Sequence, residues 1–244
     1  LVAAGALCAA LAGTRNAAAY RPFDGTDAGV AAAGEFELEL GPAHYYRRGA
    51  DTHLIAPAGV LNLGFARRFE AVTEFREVIA VHPTDNTRRA SLQGSDLLLK
   101  FVAREGALQG ERGPSLALEG GVLTPDIGGD NGVGAQLASI ASLRLLSLTL
   151  HLNEQLALSR EHQVDLFSGI ICEAPQSWAV RPVAELFVER AGHEPLTRSA
   201  LLGAIWPAAS SLAVDAGVRA AREGGRAAFE LRLGFTWQTQ VWRP

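Results

Sequence analysis

Residues 227–238, AAFELRLGFTWQ, decide how the chain folds. Phe229, Leu231, Leu233, Phe235 and Trp237 occupy one set of alternate positions; Glu230, Arg232, Gly234, Thr236 and Gln238 occupy the other. A period of two places the first set on one face of a β-strand and the second set on the opposite face. The same alternation recurs along most of the chain. It predicts twelve strands, near residues 35–47, 52–65, 68–80, 95–105, 115–124, 134–144, 147–159, 162–173, 178–190, 195–206, 211–221 and 227–239. Turn sequences such as PDIGGDNG (125–132), AGHEP (191–195) and REGGR (222–226) separate them. The pattern shows neither a helical period nor a domain linker.

Composition narrows the class. With 244 residues, 48% hydrophobic, 20% charged and a net charge of -4, the chain is neither a disordered segment nor a nucleic-acid binder relying on overall basicity. Its basic residues are arginines apart from Lys100. Residues 1–13, LVAAGALCAALAG, are uncharged, and Ala17-Ala18-Ala19 follows, which reads as the apolar region and cleavage site of a secretory leader. The expected division is a signal peptide over 1–19, an N-terminal periplasmic or lumenal segment over 20–34, and a barrel over 35–244. Leu7 stands before Cys8 where a lipoprotein needs a small residue. Cys172 would then be the one cysteine of the mature chain, with no partner for a disulfide.

Twelve alternating strands suit either a soluble β-sandwich or barrel, or a transmembrane barrel. The large aromatics separate the two. If the first strand runs outward from the periplasm, Phe36, Phe65, Phe69, Trp178, Trp206 and Trp237 all fall at the periplasmic level, as an interfacial girdle requires. Strands of ten to thirteen residues also suit a tilted span of the hydrocarbon layer. The expected fold is therefore all-β: a transmembrane antiparallel up-and-down β-barrel of about twelve strands. Turns at 66–68 and 144–146 would be periplasmic, and the loops over 81–94 and 125–133 external. The segment 106–114 is longer than a periplasmic turn should be.

Residues 21–28 (RPFDGTDA) leading to 34–39 (GEFELE) carry a family resemblance, together with Ala56-Pro57, Asn62-Leu63-Gly64, Glu70, His151-Leu152-Asn153, Val183-Ala184-Glu185, residues 215–219 (DAGVR) and residues 234–237 (GFTW). On these the mature chain resembles the outer-membrane barrel family named for the meta-pathway of phenol degradation. The resemblance implies uptake of aromatic compounds. One departure is the C-terminus: outer-membrane barrels usually finish on an aromatic residue read by the assembly machinery, whereas this chain continues past Trp237 to Trp242-Arg243-Pro244. Either Trp242 serves that role or the end is atypical.

In a transmembrane barrel the polar face of each strand turns to the lumen. Alternation assigns to it Glu37, Glu39, Glu70, Glu74, Arg76, Lys100, Arg104, Glu119, His151, Asn153, Arg181, Glu185, Glu189, Asp215, Arg219, Glu230 and Arg232. Both signs occur, which favours a cross-strand salt-bridge network over a single-sign selectivity ring. If Arg181, Glu185, Asp215 and Arg219 neutralise one another, conductance is small with little selectivity. The same assignment makes Leu231→Arg, on the lipid face, costlier than Glu230→Gln.

Ser147, Thr149, His151 and Asn153 share one face and resemble the serine, histidine and asparagine of an outer-membrane phospholipase, but that site needs the lipid side and His151 points inward. The six histidines have no metal-ligand spacing. Asp126, Asp130 and Asn131 could approach a calcium ion, yet these are the residues any exposed turn uses. The sequence thus points to a passive outer-membrane transporter or pore for small solutes in a Gram-negative bacterium. A structural or binding barrel with a plugged lumen stands second, and an outer-membrane hydrolase third. Expected partners are outer-membrane lipid and lipopolysaccharide, the barrel assembly machinery and a small-molecule solute, with no nucleic acid, metal or cofactor.

Overall fold

The computed structural model describes residues 21–83 and 89–243. The expected leader lies outside them. The chain forms twelve strands: β1 (Glu35–Arg48), β2 (Asp51–Ala66), β3 (Phe69–Ala80), β4 (Ala90–Arg104), β5 (Ser115–Leu123), β6 (Gly134–Leu145), β7 (Leu148–Leu158), β8 (Val164–Glu173), β9 (Arg181–Ala191), β10 (Thr197–Ala209), β11 (Leu212–Glu223) and β12 (Arg226–Gln240). Each pairs antiparallel with its sequence neighbour, and β1 closes on β12, so the sheet is a closed up-and-down barrel. Closure pairs the backbone groups of both would-be edge strands, a necessity for strands crossing a bilayer.

Which side takes the apolar set is visible on β12. Glu230, Arg232 and Thr236 are buried, while Leu231, Leu233 and Trp237 are exposed. A barrel with its charges inside and a leucine-rich exterior has the polarity of a membrane protein. Leu99, Leu118, Leu137, Leu152, Leu186, Leu202 and Val218 extend the exposed apolar surface around the wall. A continuous belt of this kind is far larger than a soluble monomer leaves in water. Cys172 is a free, partly buried thiol on this wall, between inward-facing Ile171 and Glu173.

At the end where β1 begins and β12 finishes, Phe36 meets Trp237 edge to face at 6.4 Å. Phe65 stacks on Phe69 at 5.9 Å, and Phe69 on Phe101 at 4.8 Å. Phe101 extends the aromatic set beyond the six expected members. Trp206 is exposed on β10. Trp178 is exposed too, but it lies in the 174–180 connection rather than opening a strand, because β9 starts only at Arg181.

The connection 105–114 does not hang below the barrel as a simple long turn. It contains a single 3₁₀ turn over Ala107–Gln109, and Leu108 packs against buried Ala28, Ala117 and Ile140. Beside it, the Arg68 guanidinium at 3.4 Å, with Arg67 at 2.8 Å, holds the Glu105 carboxyl below the usual carboxylate range.

One lumen assignment changes. The register slips between Val102 and Arg104, so Arg104 stands opposite Leu116 on the outer face and is exposed. One extra residue in a strand reverses the facing of everything beyond it. A second slip, between Glu74 and Arg76, adds its extra residue to β4, so Arg76 keeps the inward parity of Glu74 and is exposed opposite Gln93 and Ala58.

Candidate functional site: the lumen and the segment that fills it

Twelve strands enclose more space than their own side chains fill, since about eight already suffice to close a packed interior. Residues 21–33 occupy the excess. They enter at Gly34, whose N–H donates to Gly64 O at 2.6 Å and whose carbonyl accepts from Val241 N at 2.8 Å and Trp242 N at 3.3 Å. Gly34 has φ +81°, and a Cβ there would overlap Trp242 O. A Cβ on Gly64 would overlap Ala32 O. Both positions therefore need glycine, one for its dihedral and both for close backbone approach.

Inside the barrel the segment has no sheet ladder of its own, so its backbone N–H groups are satisfied by wall side chains. Glu185 accepts from Asp24 N at 2.8 Å and Gly25 N at 2.7 Å. Asn153 accepts from Thr26 N at 3.0 Å and donates back to Thr26 O at 2.9 Å. Ser142 Oγ accepts from Ala28 N at 2.9 Å, and Glu70 accepts from Ala31 N. Lys100 Nζ donates to Thr26 Oγ1 at 3.0 Å. Two apolar contacts supplement these: Phe23 packs on Val183, Ile205 and Ala213, and Ala28 is fully buried against Ala117 and Ile140.

The charges cluster around Arg232 and Glu230. Arg232 donates to Pro22 O at 2.7 Å and pairs with Asp24 and Glu230, each at 2.9 Å. Glu230 also takes Arg219 at 2.9 Å, and Arg219 reaches Glu223 at 2.8 Å. Arg21 lies 3.8 Å from Asp215 and donates to His44 Nε2 at 2.5 Å. His44 Nδ1 faces Glu230 at 3.5 Å. Arg181 pairs with Glu173 at 3.0 Å. The network thus exists, with Arg219 and Glu230 paired across adjacent β11 and β12, but Arg181, Glu185, Asp215 and Arg219 do not neutralise one another. Arg181, Glu185, Asp215 and Arg219 pair elsewhere, because the plug contributes Arg21 and Asp24 and β8 contributes Glu173.

Among the expected lumenal residues, Glu37, Glu39, Glu70, Lys100, Glu119, His151, Asn153, Arg181, Glu185, Asp215, Arg219, Glu230 and Arg232 are all buried. Glu74 and Glu189 are partly buried. Asn62 holds Glu39 at 3.0 Å and Glu37 at 3.5 Å. Reading the sequence missed Arg21, Asp27, His44, Asn62, Asp96, Ser142, Glu173 and Thr236, which are also buried. For the strand residues among these, the available signal was alternate-position parity with residues already assigned inward. At the end away from the β1/β12 termini Arg160 pairs with Asp96 at 2.6 Å and Asp126 at 3.4 Å, and Asp126 also accepts from Gly94 N at 3.0 Å.

Buried charge is unbalanced. Among the described residues, buried Asp27, Glu37, Glu39, Glu70, Asp96, Glu119, Glu173, Glu185, Asp215 and Glu230 outnumber the buried bases Arg21, Lys100, Arg181, Arg219 and Arg232, with half-buried Arg160 a further partner of Asp96. The expected outcome is cation preference in any residual current, in place of the weak selectivity that comparable signs implied. Reversal-potential measurements in a salt gradient check this. The Glu37→Gln, Glu39→Gln double variant should reduce the preference.

Ser142 Oγ lies 2.7 Å from His151 Nδ1, and His151 Nε2 is 3.2 Å from Glu173. Thr149 and Asn153 face inward with His151, whereas Ser147 is an exposed turn residue. The Ser142–His151–Glu173 line superficially matches a hydrolytic triad. Its serine is completely buried under Ala28, whose N–H it accepts, so the line supports the plug's backbone.

Below the plug, at the β1/β12 end, a cavity of about 450 Å³ is lined by Asp27, Glu35, Glu37, Arg181, Gln109 and Ile205, among others. Residues 21–33 thus occupy the middle of the lumen, with a vestibule at that end.

The architecture defines a transmembrane β-barrel of twelve strands. It is similar to the COG4313 outer membrane channel from Pseudomonas putida F1, at 10% identity and TM-score 0.67, covering 89% of this chain and 100% of that one. It is also similar to the KdgM porin in complex with disordered oligogalacturonate, at 9% identity and TM-score 0.54, covering 82% of this chain and 98% of the porin. These likenesses show a shared fold. No family pattern and no curated protein sequence matches the chain.

Proposed function

We propose that the protein is a passive channel of a bacterial outer membrane whose lumen is obstructed by residues 21–33, and that small solutes cross when this segment yields. The observation that carries the reading is the plug's attachment. It is held in the lumen by polar contacts to wall side chains, not by strand pairing, and such contacts exchange readily with water. The resemblance to the phenol meta-pathway family supports aromatic or apolar compounds as solutes. The fold shared with proteins described as an outer membrane channel and a porin supports passage in general.

A structural barrel is the second reading, favoured by the number of separate anchors on the plug. Planar-bilayer recording beside uptake of radiolabelled aromatic compounds, in deletion and complemented strains, separates the two. Solute-dependent uptake lost on deletion supports the channel. Absence of both current and uptake supports the structural barrel.

Location and orientation are part of this proposal. The protein fractionates with the outer membrane after removal of its leader, is inserted by the barrel assembly machinery, and contacts lipid and lipopolysaccharide on its leucine-rich exterior. The β1/β12 end faces the periplasm. Loop length does not fix orientation, since 105–114 and 174–180 at that end are as long as several loops opposite. Asp85, in the expected external loop, lies outside the described residues. Glu161 in the β7–β8 connection and Ser210 in the β10–β11 turn are exposed at opposite ends. In a Cys172→Ser background, Glu161→Cys should react with an impermeant thiol reagent on intact cells, and Ser210→Cys should not. The reverse pattern would invert the topology.

A further inference from the structure

His44 sits where the plug's first arm meets the wall. Its imidazole is buried, over Gly41, where a Cβ would overlap Nε2. Arg21 has only donors, so at 2.5 Å Nε2 must be the acceptor and the proton must reside on Nδ1, facing Glu230. The contact with Arg21 therefore exists only for the neutral ring.

We infer that His44 is an acid-sensitive latch for the plug: protonation at Nε2 expels Arg21 and leaves residues 22–24 held by Arg232 and Glu185 alone, while 26–31 stay anchored. The inference rests on the reading of residues 21–33 as the channel's obstruction. A second proton on the ring turns an acceptor into a donor and places two cations in contact, with little water between them.

The surrounding charges determine which group gives way. From the plug, Arg21 and Asp24 face this region; from β12, Glu230 and Arg232; from β11, Asp215 and Arg219; and from β1, Glu39. The β2 residue paired with His44 is Ile55, which carries no charge. Protonated His44 would draw on Glu230, already shared by Arg219 and Arg232 at 2.9 Å each. Those two arginines belong to the wall and keep Glu223 and Asp24 as further partners. Arg21 belongs to the movable segment, and its remaining ion pair, with Asp215, spans 3.8 Å. Arg21 is therefore the cation that leaves. Phe23, two residues on, would lose the anchor on its N-terminal side and leave Val183, Ile205 and Ala213 more often.

The test reads chemical access to the plug, separately from conduction. Phe23→Cys in the Cys172→Ser background is reacted, in detergent micelles, with a charged methanethiosulfonate at a series of pH values that starts above the ordinary imidazole pKa of about 6.5 and extends well into the acid range. Rates are normalised to those of Ser210→Cys, whose thiol is exposed, which removes the pH dependence of thiolate formation. The normalised rate should rise about tenfold on acidification, and His44→Gln, which stays neutral, should abolish the rise. Adding Arg21→Gln to Phe23→Cys should leave the introduced thiol accessible across the pH series. Heat-modifiable migration shows that each variant is folded; if His44→Gln does not fold, His44→Asn takes its place. An unchanged rate in the parent, or a rise that survives the neutral His44 variant, overturns the latch. Acid-dependent access without current at any pH retains the latch and refutes the channel.

Discussion

Deleting residues 22–33 while keeping Gly34 should raise single-channel conductance roughly tenfold, because the aqueous path is then set by the twelve-stranded wall alone. The intact protein should show small, infrequent currents by comparison. The wall side chains released by the deletion, Glu185, Asn153, Ser142 and Lys100, would meet water in a hydrated lumen, so their lost partners are replaced and the barrel survives. Planar-bilayer recording of both proteins, with heat-modifiable migration as a folding control, measures the outcome. Equal conductance would mean that residues 21–33 do not obstruct the path. Unlike the His44 variants, this deletion removes the obstruction without any titration.

The largest stability losses should come from two adjacent residues on opposite faces of β12. Leu231→Arg puts a charge against lipid and costs roughly 2 to 4 kcal/mol near the bilayer middle. Arg232→Met removes the cation shared by Pro22 O, Asp24 and Glu230, and breaking a buried pair costs about 3 to 5 kcal/mol because the carboxylates stay behind. Water entering beside the plug would lower the second figure. Glu230→Gln should be more damaging than alternation alone implies, since this carboxylate serves Arg219, Arg232 and His44 together. Guanidinium unfolding in detergent compares the three. A negligible cost for Arg232→Met would show that the plug is not fastened there.

The barrel was legible because its instruction is local and repeated. Each strand carries its own alternation, and turn sequences such as REGGR mark where it stops. Strand β4 shows the limit: Arg104 obeys the period in sequence, yet the slip after Val102 turns it outward, and such a slip depends on the partner strand. The plug was less legible for a different reason. Residues 21–33 have no period, and their conformation is dictated by side chains far along the chain, such as Asn153 and Glu185. RPFDGTDA can therefore be placed from sequence only as a periplasmic or lumenal segment before the first strand. Pairing was hidden for the same reason: inward parity assigns Asp215 and Arg219 to one lumen but cannot reveal that Arg21 and Glu223 take them as partners.

The contact between Lys100 and Thr26 has a use beyond structure. Lys100 is the sequence's single lysine, is 2% exposed, and lies on the plug's own hydroxyl. Amine-selective reagents therefore have one side-chain target in the folded protein, and it sits in the middle of the lumen. Acylation at Lys100, counted by intact mass after subtracting the terminal amine, becomes a native, mutation-free tally of how often the lumen is open to reagent-sized molecules in living cells.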